Sequence, residues 1–291
     1  MKKKSIFLLL LGFLLGACSP QKEISQTAEK QLGISVSVLP QAYFVERIAG
    51  ELALVNVMVG SGDDPHSYEP TPNQMRLLDE TDLYLSIGVE FEDAWLPRFK
   101  NANPNLSISD MSAGVERIPM AFSHEGEAHG ELDPHIWLSP TRVRILAQNT
   151  ADALIVLDPA NKPTYEENLN QFLADIEALS VYVDNLFQGV TRRQFLTFHP
   201  AWEYFADEYD LEMIAIEAGG QEPSAELLAQ VIRLIDTYEI EAIFLQREFS
   251  SNSVQALIEE TGVEMIVLDP LAEDWLANMK IMADAFAEAL Q

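Results

Sequence analysis

The chain has a single cysteine among its 291 residues, so no internal disulfide can form. Basic residues are also scarce, with 18 Lys and Arg against 46 Asp and Glu and a formal net charge of −28. Binding to phosphate backbones needs a basic footprint, which argues against nucleic acid as a partner. A negative field of this kind raises the local concentration of cations, although it also serves plain solubility. The apolar run Ile6–Leu15 is too short to span a bilayer. Preceded by Lys2, Lys3 and Lys4, it reads as an export signal over residues 1–17 that takes no part in the fold. Without those three lysines the remaining chain carries −31.

The lone cysteine, Cys18, closes that run in "LLGACSP". The stretch resembles the lipobox of bacterial lipoproteins, in which the cysteine is lipidated and becomes the mature N-terminus; the alternative is an ordinary signal peptide with an incidental cysteine. Lipidation would leave no free reactive thiol, and stable anchoring takes about two acyl chains. Residues 18–31 are polar and patternless beyond the cysteine, as a flexible tether would be. The expectation is an extracytoplasmic protein held to a lipid bilayer.

With 48% hydrophobic residues the rest of the chain can build real cores. Short β-type runs alternate with helical patterns, the signature of βαβ units and mainly parallel sheets. In the first half the runs are Ile34/Val36/Val38, 53–59, 83–88 and a stretch around Val115 to Phe122; in the second they are 194–198, 212–217, 241–246 and 263–268. Thr71-Pro72 and Ser139-Pro140 each pair an N-cap with proline at the first helical position, Ser224 opens another helix, and Gly262 closes one. Between the halves, Tyr165, Leu169, Phe172, Leu173, Ile176, Leu179, Val183 and Leu186 define one face of a long helix. The fold expected is α/β: two similar lobes, 32–158 and 190–291, joined by a linking helix within 159–189 that would limit hinge motion.

Only five histidines are present, and three touch proline. Asp64-Pro65-His66 and Asp133-Pro134-His135 repeat three residues, and His199 stands in "LTFHPAW". His66 and His199 follow predicted strands, His135 precedes the helix opened by Ser139, and Asp269 follows the run 263–268. Ligands in open α/β sheets bind outside the carboxyl ends of the strands, so four polar groups are expected at one cleft. Three imidazoles and a carboxylate suit zinc in four-coordinate geometry, and the prolines stiffen the loops by fixing φ. Taken singly, each histidine reads as a hydrogen-bonded surface or core residue and Asp269 as a turn residue before Pro270; it is the repeated Asp-Pro-His and the common strand-end placement that point to a site. No pair has the tight ligand spacing of H-E-x-x-H.

The blocks "GDDPHSYEPTP", "DPHIWLSP", "TFHPAWEYFADEYDL", "EPSAELLAQVI" and "ETGVEMIVLDPLAED" resemble, in order, those of the metal-binding lipoproteins of ABC import systems, the ZnuA and TroA group. The resemblance implies two α/β lobes on one backbone helix, His66, His135, His199 and Asp269 at the four ligand positions, and an ABC permease as membrane partner. It implies a carrier and not an enzyme, with Zn2+ as cargo and Mn2+ as the alternative. His124 and His129, among acidic residues, stand where zinc-binding members carry a longer histidine-rich loop, so they form a candidate accessory metal loop, the alternative being a plain flexible acidic loop. Trp137, Trp202 and Tyr204 are expected to pack around the site; Glu217 and Glu222, near Gly219-Gly220, stand where they could line the cleft but are assigned no role. Rival classes are an exported zinc hydrolase, which needs an open coordination position, and a surface adhesin with a structural metal.

Overall fold

The computed structural model describes residues 31–120, 132–217, 223–246 and 252–291. Cys18, His124, His129 and Glu222 lie outside them. Two four-stranded parallel sheets organise the chain. The first contains β1 (Leu32–Val38), β2 (Ala53–Val59), β3 (Leu83–Ser86) and β4 (Ser107–Asp110) in the order β2-β1-β3-β4. The second contains β5 (Gln194–Thr197), β6 (Glu212–Ala215), β7 (Ala242–Leu245) and β8 (Glu264–Val267) in the equivalent order β6-β5-β7-β8. In each, the chain leaves the first strand to one side and returns to the other. The crevice at that reversal, beyond the strands' carboxyl ends, is where such sheets bind ligands.

The helices are α1 (Leu39–Ala49), α2 (Pro72–Leu77), α3 (Phe91–Ala102), α4 (Pro140–Leu157), α5 (Lys162–Phe187), α6 (Glu203–Glu208), α7 (Ala225–Tyr238), α8 (Asn252–Thr261) and α9 (Trp275–Ala289). Their ends are chemically specified. Thr71, Ser139 and Ser224 each accept a hydrogen bond from the backbone N–H three residues on, satisfying a donor the helix itself cannot. Gly262 ends α8 at φ +75, a conformation costly for a residue with a Cβ.

One expected strand is absent. Residues 115–118 are not a strand, and Pro119 makes only an isolated bridge to Leu132. The fourth strand of the first sheet is Ser107–Asp110 instead. Its sequence, SISD, has one apolar residue because it is an exposed edge with little to bury, whereas Pro119 cannot donate to a ladder.

The linking helix α5 has 26 residues, roughly 39 Å of rise. Tyr165, Leu169, Phe172, Ile176, Leu179, Val183 and Phe187 form its buried stripe, which packs on α1, α4 and α9. Since α9 comes from the end of the chain and α1 from its start, both lobes share one apolar cluster, running from Phe44 through Phe172 to Trp275 and Phe286. A second cluster, around Leu196, Val231, Ile243 and Leu257, covers the outer face of the second sheet. Among the described residues no helix is long and apolar enough to cross a membrane.

Candidate metal site

The repeated Asp-Pro-His is a turn. Asp64 Oδ1 accepts from His66 N at 2.9 Å, and Asp133 Oδ1 accepts from His135 N at 2.8 Å. An aspartate that bonds the backbone two residues on, with proline fixing φ between, closes a rigid loop and projects the third residue. Asp269-Pro270-Leu271 repeats the construction, with Asp269 Oδ1 accepting from Leu271 N at 2.8 Å, but projects a leucine. His199 reaches the same region from two residues beyond β5, and a hydrogen bond from Ala201 N to its carbonyl at 2.9 Å holds the turn there.

These turns bring the three imidazoles together. Ring centroids stand 4.9 Å apart for His66 and His199, and 5.5 Å for each pair with His135. One ligand atom from each lies within 4.8 Å of the others, and the Nε2 atoms of His66 and His199 are 3.1 Å apart. Nitrogens bound to tetrahedral zinc at about 2.0–2.1 Å stand roughly 3.3 Å from one another, so a modest contraction of this cluster would complete the geometry.

Each ring is gripped from behind. Nδ1 lies 3.0 Å from Glu90 in His66, 2.7 Å from Asp133 in His135, and 2.9 Å from Glu217 in His199. A carboxylate on Nδ1 fixes the tautomer with its proton there and leaves the Nε2 lone pair for a metal, the usual outer-shell arrangement of histidine ligands. Glu90 is itself held by a firm loop between β3 and α3, where Glu92 accepts from the N–H groups of Ile87 at 2.9 Å and Gly88 at 2.8 Å and from the Ser37 hydroxyl. Burial raises the Glu92 carboxyl to about 7.

The electrostatics differ between the rings. Burial, with the neighbouring charges of His199 and His66, pushes His135 well below the ordinary histidine value, so it is neutral and ready to coordinate. Burial lowers His66 too, but its hydrogen bond to Glu90 and the charge of that carboxylate outweigh burial and leave it raised. Burial raises Asp133 to about 7.

Residues 34–289 match the family model for the periplasmic component A of the zinc-uptake complex. The chain belongs to that family. Its members are substrate-binding proteins of transport systems, not enzymes. Among its relatives, the zinc-binding lipoprotein AdcA of Streptococcus pneumoniae is 30% identical over 284 residues, covering 93% of this chain and 56% of AdcA. The chain thus spans about half the length of that relative. The manganese ABC transporter substrate-binding lipoprotein scaA of Streptococcus gordonii is 26% identical over 308 residues, covering 100% of this chain and 99% of that protein. A crystal structure of a ZnuA deletion mutant with zinc bound superposes with a TM-score of 0.84 at 41% identity, covering 90% of this chain and 99% of that one.

Against the family's expected ligand positions, the structure brings together His66, His135 and His199. Asp269 is not in that group: its Oδ1 accepts from Leu271 N, and its carbonyl accepts from Asn278 Nδ2 at 2.7 Å. Trp137, Trp202 and Tyr204 are fully buried packing residues, as expected. Sequence reasoning passed over Glu90 and assigned Asp133 and Glu217 no ring partner. The signal was available in part, since Glu217 and Glu90 follow β6 and β3 at the same strand ends that single out the histidines.

Proposed function

We propose that this chain captures a divalent metal outside the cytoplasm, zinc before manganese, and delivers it to an ABC permease. The observation that carries the reading is the convergence of three imidazoles, each with Nδ1 on a carboxylate and with one ligand atom from each within 4.8 Å of the others. His66, His135 and His199 are the proposed ligands. The fourth place falls to an oxygen donor, for which Asp269 is the protein's candidate and a solvent oxygen the other. A nitrogen-rich set favours zinc over manganese in the intrinsic affinity order, and the zinc-binding relatives support the same cargo. Manganese is the second reading because scaA, which matches the whole chain, is named for it.

The division into lobes 32–158 and 190–291 around the helix within 159–189, the removal of residues 1–17, and the lipid anchor at Cys18 with its tether to residue 31 belong to the same proposal. They rest on the lipobox-like "LLGACSP" and on relatives named lipoproteins. His124 and His129 remain the proposed accessory loop. The test is metal analysis of protein purified without added metal, followed by competition between zinc and manganese. One equivalent of zinc that manganese does not displace is expected. A protein that takes up neither metal, or one that loses zinc to equimolar manganese, would overturn the assignment.

A further inference from the structure

Gln246 follows β7, the strand beside β5 in the second sheet. The residue is 5% exposed, yet its Nε2 has no hydrogen-bond partner among the described residues. A buried amide N–H left unmade costs stability, so such a group needs a reason to be there. Gln246 lines a small cavity with His66, His135, Asp64, Pro270 and Leu271. Its free volume is about 10 Å³, close to that of one water-sized sphere. The two candidate imidazoles, the carboxylates of Asp63 and Asp64, and an unpaired amide donor therefore line a space for a single oxygen, beside Pro270 and Leu271.

Three histidines leave one position open on a tetrahedral metal. We propose that Gln246 is a positioning residue whose Nε2–H donates to a single solvent oxygen occupying the fourth place on the metal held by His66, His135 and His199. The inference rests on the metal-carrier reading above and deepens it. A neutral carboxamide orients that oxygen without adding a charged ligand, so the fourth place stays exchangeable, which suits a protein that must give its cargo away. Asp269 then stays outside the coordination sphere.

The test compares wild type, Gln246→Met and Gln246→Leu, with Asp269→Ala as a control, all stripped of metal. Zinc affinity is read by chelator competition, coordination by the visible absorption of bound Co2+, and the fold by apo melting. Both Gln246 variants are expected to melt at or above wild type, since an unpaired donor is gone. They should bind zinc about 10–100-fold more weakly, as outer-shell losses do, and show shifted Co2+ bands, while Asp269→Ala keeps the wild-type spectrum. Wild-type zinc affinity and unchanged Co2+ bands in both Gln246 variants would overturn the proposal. So would a melting temperature well below wild type, which would make Gln246 structural, or a Co2+ spectrum altered only by Asp269→Ala, which would make the carboxylate the ligand. If wild type itself binds neither metal, the carrier reading fails first and this inference falls with it.

Discussion

Replacing Glu217 tests whether the carboxylates behind the rings tune a metal site or merely satisfy buried histidines. Glu217 is 2% exposed, its Oε2 is 2.9 Å from His199 Nδ1, and its own N–H donates to the Phe198 carbonyl at 2.9 Å, so it is fixed by the backbone on which His199 rides. Glu217→Gln keeps a carbonyl oxygen that can accept from Nδ1–H but loses the charge that makes the ring a stronger donor to metal. It should cost about tenfold in zinc affinity, or about 1.4 kcal/mol. Glu217→Ala also frees the ring to rotate and leaves Nδ1–H unpaired in a buried place. The expected loss there is about 100-fold, or about 2.7 kcal/mol, within the range for a hydrogen bond to a charged group. Both would be measured by competition with a chromophoric chelator at fixed pH, beside apo melting curves that detect misfolding. If both variants bind zinc as wild type does, His199 is not a ligand oriented by Glu217, and the reasoning about all three carboxylates fails with it.

Alanine at His66, His135 or His199 should weaken zinc binding by at least about a thousandfold, more than the outer-shell losses, whereas Asp269→Ala should cost only a few-fold; unchanged affinity in two of the three histidine variants would end the three-histidine assignment. Affinity should also depend on pH, because a protonated imidazole cannot coordinate. The His66 value is raised, so its proton begins to compete above the ordinary histidine range, while His135, depressed, stays neutral through the same window. As pH falls through that range toward 5, affinity should drop about tenfold per unit from His66 alone, and a flat titration would contradict histidine ligation. Replacing Cys18 with alanine should release the protein from the membrane fraction or block its processing while leaving the metal affinity of the folded part intact; wild-type protein that carries no lipid would refute the anchor.

Most of the architecture was legible because the elements announce themselves locally. Ile34, Val36 and Val38 alternate and lie in a strand, while Thr71, Ser139 and Ser224 are helix caps in sequence and in structure. Ser107–Asp110 was not legible, since an exposed edge strand needs no hydrophobic pattern. The site divides in the same way. Asp-Pro-His is a local turn, so its repetition pointed to two of the three imidazoles that cluster. By contrast Glu90 meets His66 from 24 positions along the chain, and Glu217 meets His199 from 18, distances at which spacing says nothing. Asp64 and Asp133 occupy identical local contexts, yet it is Asp133 that hydrogen-bonds the ring of its own histidine, while the His66 ring has Glu90. Asp269 makes the same kind of turn after a strand, but two residues on the chain carries Leu271 where the other two turns carry histidine.

How the site opens is constrained by what lies under it. The Trp137 indole donates to the Pro270 carbonyl at 2.8 Å, and the Trp275 indole donates to the Trp137 carbonyl at 2.7 Å, a reciprocal tie between the first lobe and the end of the chain. The Tyr204 hydroxyl donates to the Asp133 carbonyl at 2.8 Å, pinning the His135 turn to the second lobe. Trp137, Trp202 and Trp275 are buried, and each indole removes about 200 Å² from water, roughly 5 kcal/mol apiece. Swinging the lobes widely apart would expose Trp137 and Trp275, which bridge them, at a cost comparable to the whole stability of a domain, about 5–15 kcal/mol. The same motion would tear the His135 turn from its support. Access must therefore come from smaller displacements, and the three proposed ligands differ in how far they permit them. The side chains of His135 and His199 are 3% and 6% exposed, against 23% for His66. His66 is the one carried by a loop outside the shared core, between the edge strand β2 and the short helix α2. On the proposed reading, the imidazoles of His135 and His199 stand fixed in the core, and the more exposed His66, held by Glu90, is the side on which metal is expected to enter and leave.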